Sequence, residues 1–356
     1  MKRASTIVLM CLLTLGLGAC LLGVHAATVA AAEKAAKPAA PKPGEEPDDG
    51  IQGEYSGTYA PAGQNAGMKA EAKVIGEGGG SFRAVLVAGE GDKALRVELT
   101  GKAEGKQVPL ASKTGDAEWK GTIEGGRSLV AESKSGKFDM KWEVRKSPAE
   151  LQKPPAGAIV LVPFEEGKPP SVDAWVSLNG DKPCPWVPQD DGSLLVKGGN
   201  IKTRQAFTDV QLHVEFRNPY MPAARGQGRG NSGVYLQSRY EVQVLDSFGL
   251  APKDNECGGI YSVAVPKVIA SLPPDRWQTY DITFHAPKVE NGKIVTPATI
   301  TVIHNGIKIH ENVKIDHVTT AGVAGPIVSP APLMLQDHGN PVRFRNVWLV
   351  ELKDGK

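Results

Sequence analysis

The sequence predicts an all-β protein in which a small antiparallel β domain precedes a larger β-sandwich. Three observations carry this: short runs alternate apolar and polar residues, turn residues punctuate them at close intervals, and no amphipathic helix of useful length interrupts them. With 356 residues the chain is long enough for two hydrophobic cores. Its 41 basic and 39 acidic side chains leave a net charge of +2, which gives no electrostatic reason to expect nucleic acid or an anionic membrane as a partner.

Residues 1–26, MKRASTIVLMCLLTLGLGACLLGVHA, have a basic start, a long apolar run and small residues near the end, the build of an export signal. Cleavage after Ala26 is one expected outcome. Another is lipidation of Cys20, because LGAC at Leu17–Cys20 resembles a bacterial lipoprotein box; a third is an uncleaved anchor. The expected location is periplasmic or extracellular, with a membrane link only through such an anchor. Residues 27–50, rich in Ala, Pro, Lys and acidic side chains, bury little apolar surface and read as a disordered tether.

Residues 51–146 hold runs such as KAEAKVI, SFRAVLVAG, LRVELTG and DMKWEVRK between turns like GEGGG, the pattern of a small closed barrel or sandwich. KSPAELQKPPAGA then interrupts with prolines unsuited to a central strand, which makes residues 147–158 a linker. From 159 to 356 come eight further strand patterns, among them DVQLHVEFR, SGVYLQ, YEVQVLD and VRFRNVWLVEL, with a hairpin signal at His304–Gly306. Cys184 and Cys257 are the two cysteines beyond the signal; a disulfide is permitted in an oxidising compartment, and free thiols are equally compatible with the sequence. No cysteine spacing suits a structural zinc site.

In YEVQVLD, alternation sets Tyr240, Val242 and Val244 on one face and Glu241, Gln243 and Leu245 on the other. A carboxylate beside an amide is either a solvated strand face or the wall of a groove. Asp246 joins Glu241 only if the strand ends or bulges there. The preceding strand offers Tyr235, and its entry loop, ARGQGRGNSG, offers Arg225, Arg229 and Asn231 where glycines permit close approach to a ligand. In LQDHGNPVRFRN, Gln336 and His338 share parity, as do Arg343 and Arg345. Histidine is the side chain best matched to proton transfer near neutral pH.

Taken in order, GNSGVYLQSRYEVQVLD, ECGGIYSVAVPKVIASLPPDRWQTYDITFHAP, ITVIHNGIKIHENV and LQDHGNPVRFRNVWL resemble the bacterial family of 3-keto-disaccharide hydrolases over about residues 155–352. The resemblance implies a concanavalin A-like or laminin G-like jelly roll with a sugar groove on its concave sheet. It also implies action on glycosides already oxidised to a ketone at carbon 3. Residues 51–146 lie outside the resemblance, and a spacer or carbohydrate-binding role is open for them.

A carbon-3 ketone acidifies the proton on carbon 2 and places the glycosidic oxygen β to the resulting enolate. Elimination followed by hydration needs a base at carbon 2, donors at the ketone oxygen and an acid at the leaving oxygen. Glu241 and His338 are the base and acid candidates in either order. Arg343, Gln243 and Asn231 are candidate donors, Gln336 and Glu256 further substrate contacts, and Tyr235 or Trp186 candidate platforms for a sugar ring. The rival chemistry is direct hydrolysis by two carboxylates, Glu241 with Asp246 or Glu256. No cofactor is implied. Asp246, Asp254 and Glu256 offer hard oxygen ligands for a divalent cation, without the spacing of a metal loop. A non-catalytic lectin-like module and a structural surface protein are the alternatives from other classes.

Overall fold

Eight antiparallel strands, from Gly53–Pro61 to Gly136–Glu143, pair each with the next and the last with the first, closing a barrel. The computed structural model describes residues 50–353 apart from 65, 113–117, 126 and 181, so the predicted export signal and almost all of the tether lie outside the described residues. Alternation along each strand sends one set of side chains inward: Tyr55 and Tyr59 from the first strand, Ala70, Ala72 and Val74 from the second, Phe138 and Met140 from the last. The rings of Tyr59, Trp119 and Phe138 lie 4.6 to 6.2 Å apart and fill one end, while alanines take the narrower positions. Closure also removes the free sheet edges that short strands of this kind would otherwise present. Gly57 permits the seam between first and last strands, since a Cβ there would sit 2.1 Å from the carbonyl oxygen of Asp139.

The second β unit is a two-layer sandwich. Its five-stranded sheet runs Trp175–Ser177, Ile201–Phe207, Ala331–Leu335, Ser232–Leu236, Tyr240–Val244. Facing it is an eight-stranded sheet whose central strands are Val210–Arg217, Gln278–His285 and Arg343–Glu351. One continuous core lies between the layers, with Val210, Leu212, Val214 and Phe216 from one sheet meeting Val234, Leu236, Tyr240 and Val242 from the other. Period-two alternation then forces Glu241 and Gln243 out of the back of the five-stranded sheet, and His213, Glu215 and Arg217 out of the back of the eight-stranded one. The predicted hairpin forms with Asn305 and Gly306 at φ 50° and 80°, the two positive values that a two-residue turn between antiparallel strands demands.

Residues 147–158 do more than connect. Ser147 Oγ and Thr279 Oγ1 are 2.6 Å apart, the Leu151 amide donates to Glu215, and Asn346 donates to the Gln152 carbonyl, so the proline-rich segment is bonded across the back of the eight-stranded sheet. The barrel meets the sandwich through Ile75, Val85 and Phe248, a small buried apolar cluster separate from the two main cores. Cys184 and Cys257 are both free thiols; Cys257 is fully buried beside the Tyr280 hydroxyl. No helix among the described residues is long and apolar enough to cross a membrane.

Candidate functional site

Tyr235 and Glu241 are direct cross-strand partners in the hairpin formed by Ser232–Leu236 and Tyr240–Val244. Both point out of the back of the five-stranded sheet, yet Tyr235 is fully buried and Glu241 is 2 % exposed. The Tyr235 hydroxyl is hydrogen-bonded to the Glu241 carboxyl and accepts a 2.9 Å bond from Gln336 Nε2. Burial pushes the Glu241 carboxyl up to about 7, against the smaller downward pull of the Tyr235 hydroxyl. Tyr235 itself is held well above its usual value by burial and by the neighbouring carboxylate. Room for this arrangement comes from Gly233, where a Cβ would lie 2.6 Å from Glu241 Oε1 and 2.7 Å from the Tyr235 ring.

Beside this pair Gln227 ties two predicted site residues together. Its Oε1 accepts from Gln243 Nε2 at 2.9 Å and from Asn231 Nδ2 at 3.0 Å. Three buried oxygens, Asn231 Oδ1, Gln243 Oε1 and Gln336 Oε1, have no protein partner, and such groups are costly unless something else donates to them. The arrangement therefore offers a carboxyl poised near neutrality together with acceptors suited to hydroxyl groups.

Several sequence-predicted residues stand elsewhere. The strand ends at Val244, so Leu245 turns into the core and Asp246 into a buried ion pair with Arg229, 2.6 Å from its Nε. Arg229 in turn donates to the Gly76 carbonyl of the barrel, and Arg225 donates to that of Glu77, which makes the glycine-rich loop a contact between the two β units. Asp246 is thus a structural anion. Glu256 accepts a 2.7 Å bond from Ser247 Oγ, which receives the Cys257 amide, so its carboxylate braces a turn. Trp186 is 2 % exposed, stacked on Phe344 and bonded to the Gly199 carbonyl, and belongs to the core rather than to a sugar platform. Tyr235 likewise has no free ring face. Arg343 emerges from the other sheet and pairs with Asp191 at 2.9 Å. His338 follows Gln336, but the strand ends at Leu335; its side chain is exposed and makes no hydrogen bond or ion pair with the described residues. Among those residues no group of three His, Cys, Asp or Glu is placed to hold a metal ion, so Asp246, Asp254 and Glu256 do not assemble as cation ligands.

Residues 157–350 match the family described as the 3-keto-alpha-glucoside-1,2-lyase-like domain. The chain belongs to this family. A crystal structure from Parabacteroides distasonis ATCC 8503, provisionally designated a glycosyl hydrolase, is 35 % identical, with 56 % of this chain and 85 % of that one aligned at a TM-score of 0.50. A second structure from the same organism, with the same provisional designation, is 21 % identical over 52 % of this chain and 92 % of its own, at a TM-score of 0.38. No match to this chain was found among curated proteins.

The family's domain coincides with the sandwich and contains the whole Tyr235–Glu241 cluster, while the barrel lies outside it. Two residues of that cluster were not apparent from the sequence. Gln227 sits in the glycine-rich loop among charged neighbours that draw attention first. Gly233 precedes the pair on the same strand, and its role depends on a space that only the folded hairpin defines.

Proposed function

We propose that this protein is an exported carbohydrate-active enzyme that cleaves 3-keto-glycosides, with Glu241 as the base that removes the proton from carbon 2. The observation that carries the reading is a buried carboxyl held at about 7 and hydrogen-bonded to the hydroxyl of Tyr235, which Gln336 also holds. A carboxylate with that affinity for a proton is a far better base than a solvated one and is still about half ionised at neutral pH.

In this reading Glu241 takes the carbon-2 proton, and the electron pair of that C–H bond becomes the enolate of the carbon-3 ketone. The enolate then expels the glycosidic oxygen from carbon 1, the leaving oxygen takes a proton, and the sugar is left as an unsaturated ketone. Water adds to carbon 1 and gives its proton to the group that protonated the leaving oxygen, and Glu241, its proton exchanged with solvent once the leaving group has departed, protonates carbon 2. Gln243, Asn231 and Gln336 hold the sugar's hydroxyls and oxygen atoms, their amide orientations being set by the bound partner. His338, exposed on the loop after Gln336, is the candidate acid at the leaving oxygen. With Glu241 only 2 % exposed, its carboxyl meets a substrate once neighbouring side chains give way.

Membership of a family described by a lyase activity supports an enzyme over a lectin. The test is cleavage in D₂O. Elimination and hydration place deuterium at carbon 2 of the released keto-sugar, beyond the exchange that the free keto-sugar undergoes alone. Direct hydrolysis leaves carbon 2 protonated, and that result would mean that Glu241 is not the carbon-2 base.

A further inference from the structure

On the opposite side of the sandwich, behind the eight-stranded sheet, lies a cavity of about 920 Å³ between the linker, the Phe164–Gly167 turn and the segment Asp275–Trp277. Its volume is that of a small-molecule site. The core between the two sheets separates it from Glu241.

The walls combine aromatic surface with paired charge. The Arg345 guanidinium sits between Trp277 and Phe164, 4.0 and 4.7 Å from the ring centroids, and is bonded to Glu215 at 2.7 Å and Glu150 at 2.8 Å. Arg217 approaches Trp277 at 4.9 Å and pairs with Asp191. Basic and acidic side chains line the cavity in nearly equal number, so an anion entering it meets about as many carboxylates as cations. Asp275 is a lining carboxyl outside these ion pairs. It lines the cavity from a left-handed backbone position, φ 61°, and its Oδ2 is buried without a hydrogen-bond partner. Burial, only partly offset by Arg217, raises that carboxyl to about 7. A strained backbone together with an unsatisfied oxygen at a cavity wall marks a place where a ligand completes the structure.

We infer that this cavity is a second, non-catalytic binding site for a neutral polyhydroxylated ligand, a disaccharide or the end of an oligosaccharide. Hydroxyls that both donate and accept insert into paired guanidinium and carboxylate groups without unbalancing charge. One of them donates to Asp275 Oδ2, and the apolar ring faces of the sugar rest on the exposed parts of Trp277 and Phe164. The inference does not rest on the chemistry proposed at Glu241.

The test is calorimetric titration of the full-length protein with trehalose, maltose, cellobiose and sophorose, and with glucuronate and inorganic phosphate as anionic probes. At least one neutral disaccharide is expected to bind more tightly than either anion. Its affinity is expected to fall about tenfold in Trp277→Ala and several-fold in Asp275→Asn, while Glu241→Gln leaves it unchanged. Asp275→Asn keeps the shape of the wall, so it decides the matter if Trp277→Ala fails to fold. The inference is overturned if no neutral disaccharide binds, if an anion binds more tightly, if both cavity variants bind as the wild type does, or if Glu241→Gln abolishes binding.

Discussion

The hydroxyl of Tyr235 is hydrogen-bonded to the carboxyl of Glu241, the residue directly opposite it on the neighbouring strand. Neither side chain belongs to the core, yet both are buried, and Gln336 supports the phenol from behind. A sheet ordinarily shows polar residues on its outer face to water. Here that face holds a desolvated proton acceptor.

The first consequence is a pH-dependent cost. A carboxyl whose folded value is raised, from an ordinary 4.5 to about 7, contributes stability that is fully present below its unfolded value and is lost as pH rises through the folded one. Glu241→Gln, which carries no charge, is therefore expected to gain about 3 kcal/mol on the wild type between about pH 4 and pH 8. Denaturant unfolding at several pH values checks this. A difference that does not change with pH would contradict the raised carboxyl.

Tyr235→Phe removes the hydrogen bond that lowers Glu241 and leaves burial unopposed. The acidic limb of kcat/KM, set near 7 by Glu241 ionisation, is expected to move to higher pH. Gln336 Nε2 loses its acceptor at the same time, which costs about 1–2 kcal/mol of stability. A simple loss of stability with an unmoved limb would assign Tyr235 a packing role only.

Gly233→Ala adds a Cβ where Glu241 Oε1 and the Tyr235 ring already stand. The expected result is a folded protein destabilised by about 1–3 kcal/mol with activity largely lost, because the carboxyl must move. Melting curves and turnover measured on the same preparation separate the two effects.

Asp246→Ala strands the Arg229 guanidinium at the contact with the barrel. Removing one partner of a buried ion pair is expected to cost about 3–5 kcal/mol. The pH dependence of the remaining activity is expected to match the wild type. A displaced acidic limb in Asp246→Asn would return Asp246 to the chemistry.

The two β units and the outward face of YEVQV were legible, because both rest on period two. What alternation could not supply was the point where a strand stops. The ladder ends at Val244 and at Leu335: parity carried past Leu335 misplaced His338 beside Gln336, while Asp246, which could join Glu241 only where the strand ended or bulged, turns at that end to Arg229 instead. Arg343 and Arg345 do share a face, but one on the other sheet, a fact of strand order that spans most of the domain. Trp186 and Tyr235 show the remaining gap. An aromatic residue in a polar neighbourhood is compatible with a platform or with a core, and only the packing around Phe344 and Glu241 decides which it is.

In the proposed function Glu241 acts on a glycoside made labile by a carbon-3 ketone. The most direct test is to incubate the protein with a 3-keto-disaccharide and, separately, with the unoxidised parent, and to measure released sugar for the wild type and for Glu241→Gln. Release is expected from the keto compound alone, reduced by about two to four orders of magnitude in the variant. Equal cleavage of both compounds by the wild type, release from neither, or an undiminished rate in Glu241→Gln would contradict it.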